Sequence, residues 1–242
     1  MKRLLTAVLL FGVVLPARAG LTADQILART DEIRFPSGDS SVQATVTSKK
    51  PGRSVEDKAV YEVWIKGRDR TLIKTLSPAT DRGTSILMVD KDLWVYLPDV
   101  SKPLRISLQQ RLLGDVSNGD LARANFVGDY KPTLVESHRT FYVLLLKARS
   151  EDVTYGSIKL WIDRPSYRPL KAAFYAASGR ILKVGSYEDF KPMAGGIHPS
   201  RVVFTDALVK GQKSTIHYSD IAPRNDLADK YFTKDYLKKL KY

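Results

Sequence analysis

The stretch YEVWIKGRDRTLIKTL at residues 61–76 carries the pattern that decides the fold. Tyr61, Val63 and Ile65 are apolar residues at every second position, and a hydrophobic pattern with a period of two predicts a β-strand. Gly67 ends this run, a turn signal follows, and the apolar residues after the turn begin a second strand. The stretch therefore predicts an antiparallel β-hairpin.

The same pattern recurs along most of the chain. Besides this hairpin, strands are predicted at residues 42–46, 85–89, 93–97, 141–146, 158–162, 170–176, 181–187, 197–204 and 214–221. Clusters of Gly, Pro, Asp and Ser separate them, as expected for tight turns. Ten or eleven short strands joined in this way predict one large antiparallel sheet.

Only a few segments predict helices. Residues 22–25 have the sequence of a capping box, apolar residues follow at helical spacing, and Pro36 ends the segment. A second helix is predicted at 233–240, with shorter pieces at 108–113 and 121–125. Since so few helices cannot cover both faces of a large twisted sheet, we expect a mainly β (α+β) fold. The sheet curves into a half-barrel, and the short helices close its apolar concave face around a cavity suited to a carrier.

The first 19 residues have the features of a secretion signal. A short basic start precedes the apolar run 4–15, and Ala-Arg-Ala at 17–19 matches the pattern read by signal peptidase. The apolar run is shorter than the roughly 20 residues that a membrane-spanning helix needs. We therefore expect a signal peptide at 1–19, cleaved near Ala19, and one domain at 20–242 that acts in the periplasm.

The chain of 242 residues has a net charge of +13 and no cysteine. Three basic residues lie in the signal segment, which leaves about +10 for the domain. In an exported protein this excess indicates anionic lipid head groups or acidic protein surfaces, not nucleic acid, as partners; alternatively it only maintains solubility. The densest basic cluster is the C-terminal helix, where we expect contact with an anionic membrane: Lys234, Lys238, Lys239 and Lys241.

Residues that could carry catalysis are scarce. The three histidines, His138, His198 and His217, lack metal-binding spacing, and without cysteine there is no thiol nucleophile. Gly-Asp-Ser at 38–40 resembles the start of a GDS-type esterase block, but no histidine is preceded by the D-x-x-H aspartate of those enzymes. We therefore expect a protein that is not an enzyme and that binds no metal and no cofactor.

Large aromatic residues are concentrated in the predicted strands. Trp64, Trp94 and Trp161 each lie inside a strand, and Trp94 and Tyr96 share a face. Each ring could simply fill the core. On a sheet that cannot be fully covered, the rings could equally line a cavity of the size of a lipid chain.

Several blocks of the sequence resemble a known family, the outer-membrane lipoprotein-sorting proteins related to the periplasmic lipoprotein carrier LolA. The central blocks are LWVYLP at 93–98, LRIS at 104–107, RLLG at 111–114 and SNGDL at 117–121. Further blocks are WID at 161–163, ILK at 181–183 and the F-T-x-x-Y-L pattern at 232–237. The likeness covers essentially the whole mature chain. One departure is Lys102-Pro103, where the family usually has a second basic residue beside the arginine.

The resemblance implies the half-barrel-and-lid fold and a carrier that moves an acylated lipoprotein or lipid cargo across the periplasm towards the outer membrane. An inner-membrane permease is a possible partner, because members of this branch often accompany lipid-exporting permeases. The alternatives are an accessory protein of such a permease and a periplasmic sensor of the same fold. The sensors usually carry an additional C-terminal domain. Since this sequence ends soon after its last predicted helix, we expect the carrier.

Eight residues are predicted to line the cavity or the lid of such a carrier. They are Trp64, Trp94, Tyr96, Leu97, Arg105, Ile106, Gly114 and Trp161. For Arg105 we expect a gating or structural role, in which its guanidinium holds a lid segment through backbone carbonyls. The alternative for Arg105 is an exposed position at a strand end.

Overall fold

The computed structural model describes residues 20–36, 38–123 and 125–240. The predicted signal peptide and Lys241 lie outside the described residues. Helix α1 (Ala23–Arg34) begins with the predicted capping box. The Thr22 hydroxyl accepts a hydrogen bond from the Gln25 amide at 3.2 Å, and the Gln25 side chain accepts one from the Thr22 amide at 2.9 Å. The helix ends just before Pro36, as predicted.

The strands are short and follow one another through hairpins. In the described part of the chain they are β1 (Ser40–Lys49), β2 (Asp57–Lys66), β3 (Arg70–Ser77), β4 (Ser85–Val89), β5 (Asp92–Tyr96), β6 (Leu104–Ile106), β7 (Arg111–Leu113), β8 (Val116–Ser117), β9 (Tyr130–Ser137), β10 (Phe141–Ala148), β11 (Ser157–Asp163), β12 (Pro169–Tyr175), β13 (Ile181–Met193), β14 (Gly196–Asp206) and β15 (Lys213–Pro223). The remaining helices are α2 (Asn118–Ala122), α3 (Phe126–Asp129) and α4 (Lys234–Leu237), with 3-10 turns at Ala79–Asp81 and Asp229–Phe232.

Thirteen of these strands form one antiparallel sheet in the order β6-β5-β4-β3-β2-β1-β15-β14-β13-β12-β11-β10-β9. The chain thus meanders outward from β1 to one edge and returns along the other half to β15, which pairs with β1. Strands β7 and β8 form a separate hairpin. The predicted curved, unclosed sheet with a few short helices is confirmed.

The sheet has 13 strands, more than the ten or eleven predicted, because β6 and β9 extend its edges. Strand β9 contains Pro132, which an edge strand tolerates because it does not need every ladder hydrogen bond. The helix predicted at 108–113 is wrong. Residues there form a turn and strand β7, because Gly114, with φ +56°, reverses the chain into β8.

Two further helix predictions need correction in their extent. The C-terminal helix predicted at 233–240 is limited to α4, with Thr233 as its cap, and follows a 3-10 turn. The piece predicted at 121–125 is replaced by α2 and α3, which lie on either side of Arg123. No helix in the described ranges is long and apolar enough to cross a membrane.

Both faces of the sheet carry apolar layers. On the concave face, Val63 and Leu144 are completely buried in the main core beneath α1, α2 and α3. On the convex face, Leu72 and Leu87 are buried beneath residues 227–240, which we call the C-terminal strap. On β10 the convex-facing Val143 is also buried, opposite Trp161 of β11, so this strand is covered on both sides and reads as a continuous apolar run.

Candidate functional site

The concave face of the half-barrel is covered by short elements instead of a second sheet. Besides α1, they are the β7–β8 hairpin, α2 and α3, and we call residues 111–123 and 125–129 the lid. Val116, Leu121 and Phe126 of the lid are buried against the sheet. Each lid element contributes only a few apolar side chains. Hydrogen bonds and ion pairs therefore also hold the lid on the sheet.

A cavity of about 40 Å³ remains between the lid and the concave face. The sheet side is apolar and largely aromatic: Phe174, Tyr187, Val202, Phe204, Ile216 and Tyr218. The lid side is charged: Asp120, Arg123 and Asp129. Sites for drug-sized ligands measure about 300–1,000 Å³. The closed cavity therefore has space for a few waters at most, and an acyl chain can enter only if the lid moves.

A buried ion pair fastens the lid from within. Arg123 and Asp129 are both at least nine-tenths buried. The Arg123 Nε lies 2.5 Å from Asp129 Oδ2 and its Nη2 lies 2.6 Å from Oδ1, a bidentate geometry. The third nitrogen of Arg123 donates to the backbone carbonyl of Asp90, in the turn between β4 and β5. Arg123 thus ties the lid to the sheet through a backbone carbonyl.

Asp31 of α1 is a second buried anchor. Its carboxylate pairs with Arg34 in the same helix and with Arg68, whose Nη1 lies 3.2 Å away. The same carboxylate accepts a hydrogen bond from the amide of Val127 at 3.1 Å, at the start of α3. The Arg34 guanidinium also stacks 3.3 Å from the centre of the Phe126 ring. Helix α1 is thereby joined to the lid.

The third anchor is Lys183 of β13, an ammonium group on the concave wall with a relative exposure of 3%. It donates hydrogen bonds to the Asp120 carboxylate and to the backbone carbonyl of Asp115. Burial lowers the pKa of Lys183, and the charge of Asp120 opposes this shift. Asp120 also accepts a hydrogen bond from the Tyr155 hydroxyl at 2.6 Å, and burial raises the pKa of that phenol.

The tip of the lid hairpin fits closely against the sheet. The amide of Asp115 donates to Ser214 Oγ at 2.9 Å, and the side chain of Gln212 donates to the Asp115 carboxylate at 2.6 Å. Burial and the adjacent Asp206 raise the pKa of Asp115. A Cβ on Gly114 would lie 2.1 Å from Ser48 Oγ, so only glycine fits there. The predicted residue Gly114 therefore does belong to the lid.

The structure places several predicted site residues away from this cavity. Trp64, Trp94 and Tyr96 point to the convex face and pack beneath the C-terminal strap. The centres of the Trp64 and Tyr231 rings are 5.7 Å apart, and Lys234 lies 4.5 Å from the Trp94 ring. Because side chains alternate along a strand, Val63 of β2 faces the concave core and its neighbour Trp64 faces the convex side. The same alternation places Trp94 and Tyr96 of β5 on the convex side.

Arg105 does not hold the lid. Its side chain is 71% exposed and pairs with Asp92 on the neighbouring strand, and it holds no backbone carbonyl of the lid. In the sequence motif the arginine stood out, but on the short edge strand β6 it faces solvent. The carbonyl-binding role expected of it is performed by Arg123, which the sequence analysis missed.

The other predicted residues are dispersed. Ile106 packs partly buried against the concave core, and Leu97 is exposed beyond the end of β5. Trp161 lies on the convex face, where the ammonium groups of Lys159 and Lys171 lie 5.1 and 4.2 Å from its ring. Of the eight, the structure brings only Gly114 and Ile106 to the lid or the concave core.

The ion pair of Asp120 and Lys183 was not predicted, although both residues stand in the motif blocks. Asp120 is the aspartate of SNGDL and Lys183 is the lysine of ILK. A lysine within a strand normally indicates the solvent face, so nothing in its neighbourhood predicts burial. Only the fold shows that the two blocks meet.

Among the described residues, no group of three or more His, Asp or Glu side chains could hold a metal ion. The exposed position of His217 agrees with the surface position indicated by its strand. His198 is buried, and its Nδ1 lies 3.0 Å from the backbone carbonyl of Ile33 at the end of α1.

Comparisons with known proteins agree with this architecture. A family model described as "Uncharacterized protein" matches residues 67–239. The crystal structure of a LolA superfamily protein from Nitrosomonas europaea has 45% sequence identity and a TM-score of 0.84, and the match covers 90% of this chain and 100% of that one. A search of curated proteins finds no match.

Two more distant structures share the fold. A DUF1329 family protein from Desulfovibrio piger has 22% identity and a TM-score of 0.76, over 89% of this chain and 97% of that one. A protein assigned as an outer membrane lipoprotein-sorting protein domain from Vibrio parahaemolyticus has 20% identity and a TM-score of 0.74, over 89% and 98%. The family resemblance of the sequence is confirmed, and the chain belongs to the LolA superfamily.

Proposed function

We propose that this protein is a periplasmic carrier that binds the acyl chains of a lipoprotein or lipid inside the half-barrel and moves them towards the outer membrane. The observation that supports it is an apolar, aromatic concave wall covered by a lid whose fastenings are charged. The signal-like residues 1–19 support export, and the sorting-protein assignment of the Vibrio parahaemolyticus structure is in line with such a cargo.

The energetics of acyl chains explain why a carrier needs such a wall. Each CH₂ group transferred out of water gains about 0.8 kcal/mol, so an acylated cargo does not leave a membrane unescorted at a useful rate. A concave sheet with Phe174, Phe204 and Tyr218 on its surface offers this apolar environment. In the closed structure the same side chains face the lid, which must move to admit the chain.

The test is displacement of an environment-sensitive dye by palmitate, with two variants on one strand. Val202 faces the cavity and Val203, the next residue of β14, faces the convex side. We expect Val202→Phe to weaken dye and palmitate binding strongly, because the ring occupies the cavity. Val203→Phe should bind as the wild type does. Absence of saturable binding to the folded wild type would contradict the carrier.

We further propose that the carrier contacts an anionic membrane at one end of the half-barrel. Here the β1–β2 and β14–β15 turns project side by side, and a Cβ on Gly211 would lie 3.8 Å from Pro51. Val55, Leu208 and Val209 are 75%, 66% and 44% exposed at their tips. Aliphatic side chains on projecting turns suit the interface of a bilayer better than a preformed protein groove.

Lysines stand directly behind these apolar tips. Lys49 and Lys213 are cross-strand partners, an arrangement that is unfavourable unless an anion offsets it. Each Lys or Arg near an anionic bilayer contributes on the order of 1 kcal/mol. The predicted C-terminal cluster is less free: Lys234 stacks on Trp94, and Lys238 lies 3.7 Å from Asp235.

Vesicle sedimentation distinguishes the two basic clusters. We expect binding to vesicles of phosphatidylglycerol and phosphatidylcholine, weakened by salt, and little binding to phosphatidylcholine alone. Lys49→Glu with Lys213→Glu should weaken it more than Lys238→Glu with Lys239→Glu. The reverse order would place the contact on the strap. No vesicle binding at low salt would contradict a membrane contact and leave an acidic protein as the partner.

A further inference from the structure

A second pocket, of about 260 Å³, opens beside the lid at the same end of the half-barrel. Its lining includes three cationic side chains, Arg111, Arg180 and Lys183, and two carboxylates, Asp115 and Asp206, together with Tyr155 and Leu208. Leu208 is also one of the exposed apolar tips. The pocket is therefore a polar, positively charged recess that lies next to the surface proposed to meet the membrane.

One ion pair separates this outer pocket from the inner aromatic cavity. Tyr155 lines both spaces, and its hydroxyl donates to Asp120. Asp120 lines the inner cavity and pairs with Lys183, which lines the outer pocket. The two spaces are arranged as an amphiphile would need, with a polar part outside and an apolar part inside, and the Asp120 carboxylate occupies their junction.

Both acceptors of Lys183 belong to the lid. They are the Asp120 carboxylate in α2 and the Asp115 carbonyl at the hairpin tip. Its other close neighbours are rings on the wall, and its Nζ lies 4.0 Å from the Phe204 ring and 5.7 Å from that of Phe174. A lid that opens takes both acceptors away and leaves an ammonium group against an apolar wall. Leaving one partner of a buried pair uncompensated is strongly unfavourable.

We propose that Lys183, with Arg180 at the pocket mouth, binds the anionic head group of the cargo, a phosphate or a carboxylate. The head group replaces the Asp120 carboxylate on Lys183 when the lid opens, and the acyl chain lies in the inner cavity. This inference rests on the proposed carrier function and adds the chemical class of the cargo. The internal carboxylate acts as a stand-in for the ligand in the closed state.

The remaining carboxylates of the pocket do not compete for these cations to the same degree. Asp206 accepts hydrogen bonds from the amides of Leu208 and Val209, at 2.7 and 2.8 Å, and lies 3.6 Å from Arg111. Asp115 is held by Gln212 and Ser214. When the lid opens, Asp115 and Asp120 move away with it, and an incoming anion meets Lys183 and Arg180 with Asp206 as the one remaining carboxylate of the pocket lining.

Because the head group must replace the Asp120 carboxylate on Lys183, we expect the site to select anionic amphiphiles. An anionic amphiphile compensates Lys183 after the lid opens, whereas a neutral or zwitterionic one of the same chain length does not. Hydrogen bonds to charged groups contribute about 1.5–3 kcal/mol, which corresponds to roughly a tenfold preference or more. Binding of an anionic amphiphile and opening of the lid are thereby coupled.

The test compares dye displacement by three probes: palmitate, palmitoyl lysophosphatidylglycerol and palmitoyl lysophosphatidylcholine. In the wild type we expect both anionic probes to bind about tenfold or more tightly than the zwitterionic one. A preference for only one anionic probe would show whether a carboxylate or a phosphodiester is the better head group. Lys183→Met should abolish the preference and retain binding of the zwitterionic probe.

Three further variants keep the result interpretable. Lys171→Met, on the convex face of the neighbouring strand, is the matched control and should retain the preference. Asp120→Asn removes the internal competitor and should increase affinity for the anionic probes. If Lys183→Met does not fold, the double variant Lys183→Met with Asp120→Asn removes both charges, and it should bind all three probes alike.

The outcomes separate this inference from the proposed function. If the folded wild type binds none of the probes, both fail. If it binds all three alike, or if the preference survives in Lys183→Met, the head-group site is wrong and the carrier remains. A loss of preference that is confined to Lys183 variants supports the site.

Discussion

The two faces of the sheet are covered in physically different ways. On the concave face the lid and α1 are fastened by buried charges, which involve Asp31, Arg123 and Lys183. On the convex face the C-terminal strap is held by apolar packing, with Phe232 and Leu237 buried and its ion pairs at the exposed margin.

The difference indicates which cover is built to open. A buried ion pair yields little net stability, because desolvation of the charges offsets their attraction. When such a pair separates, a partner that reaches water regains solvation, and a partner that stays on the wall, such as Lys183, can be compensated by the charge of a ligand. Apolar surface has no such compensation, since each Å² returned to water costs about 25 cal/mol. We therefore expect the lid to move and the strap to remain.

The largest effect should follow removal of one partner of a buried lid pair. Arg123→Met leaves the Asp129 carboxylate buried and unpaired, and we expect a loss of about 3–5 kcal/mol in the free energy of unfolding. Urea denaturation measures it. The double variant Arg123→Met with Asp129→Leu should recover much of this loss. Equal losses in the single and the double variants would show that the pair does not act as a unit.

On the strap the order of importance should be reversed, with apolar contacts above charges. Leu237→Ala removes a fully buried side chain and should cost about 2–4 kcal/mol. Asp229→Asn breaks the contacts to Lys66 and Arg70, each 2.6 Å long, but these are exposed to solvent. We expect it to shift the urea midpoint little. A larger shift for Asp229→Asn than for Leu237→Ala would contradict the comparison.

Two glycines with positive φ test how closely the lid hairpin fits against the sheet. Gly114→Ala and Gly179→Ala both strain the backbone, since φ is +56° and +81°. Only at Gly114 does the new methyl group collide, with Ser48 Oγ at 2.1 Å, whereas nothing lies within 4 Å at Gly179. We expect Gly114→Ala to lose about 1–3 kcal/mol more than the control, by urea denaturation. Equal losses would mean that the hairpin does not seat on the sheet.

The smallest effect is a pH dependence from His198, which joins α1 to β14 on the concave side. Burial lowers its pKa from 6.5. The unfolded chain then binds more protons than the folded one between the lowered pKa and 6.5, so stability should fall as the pH drops below about 6.5. His198→Gln should flatten this slope between about pH 7 and pH 5.5, above the range of ordinary carboxyl groups. An unchanged slope would assign it to other groups.

The sequence predicted the architecture well because the sheet follows from local alternation. Residues 85–89 were predicted as a strand with the bounds that β4 has, and the capping box of α1 formed as written. The edges were missed: β6 is only three residues long, and Pro132 disguised β9. Such short or interrupted runs carry too little periodicity to stand out.

The site could not be predicted to the same extent, because alternation does not say which face is concave. Trp64 and Trp94 alternate as expected, yet their side of the sheet is the one that the strap covers. Lys183 and Asp120 are separated by 63 positions and meet only through the fold. Long-range pairing of buried charges leaves no local pattern in a sequence.

Double electron–electron resonance between spin labels tests the central claim, that the lid moves to admit an acyl chain. The chain has no cysteine, so labels can be introduced cleanly. Val127 is exposed in α3 of the lid, and Lys49 and Lys147 are exposed on the sheet. One pair joins Val127→Cys to Lys49→Cys, and the control pair joins Lys147→Cys to Lys49→Cys.

We expect palmitate to lengthen or broaden the distance distribution of the Val127–Lys49 pair and to leave that of the Lys147–Lys49 pair unchanged. The lid would then move on a sheet that stays fixed. Saturable binding of palmitate with both distributions unchanged would show that the chain binds elsewhere, and would contradict the account.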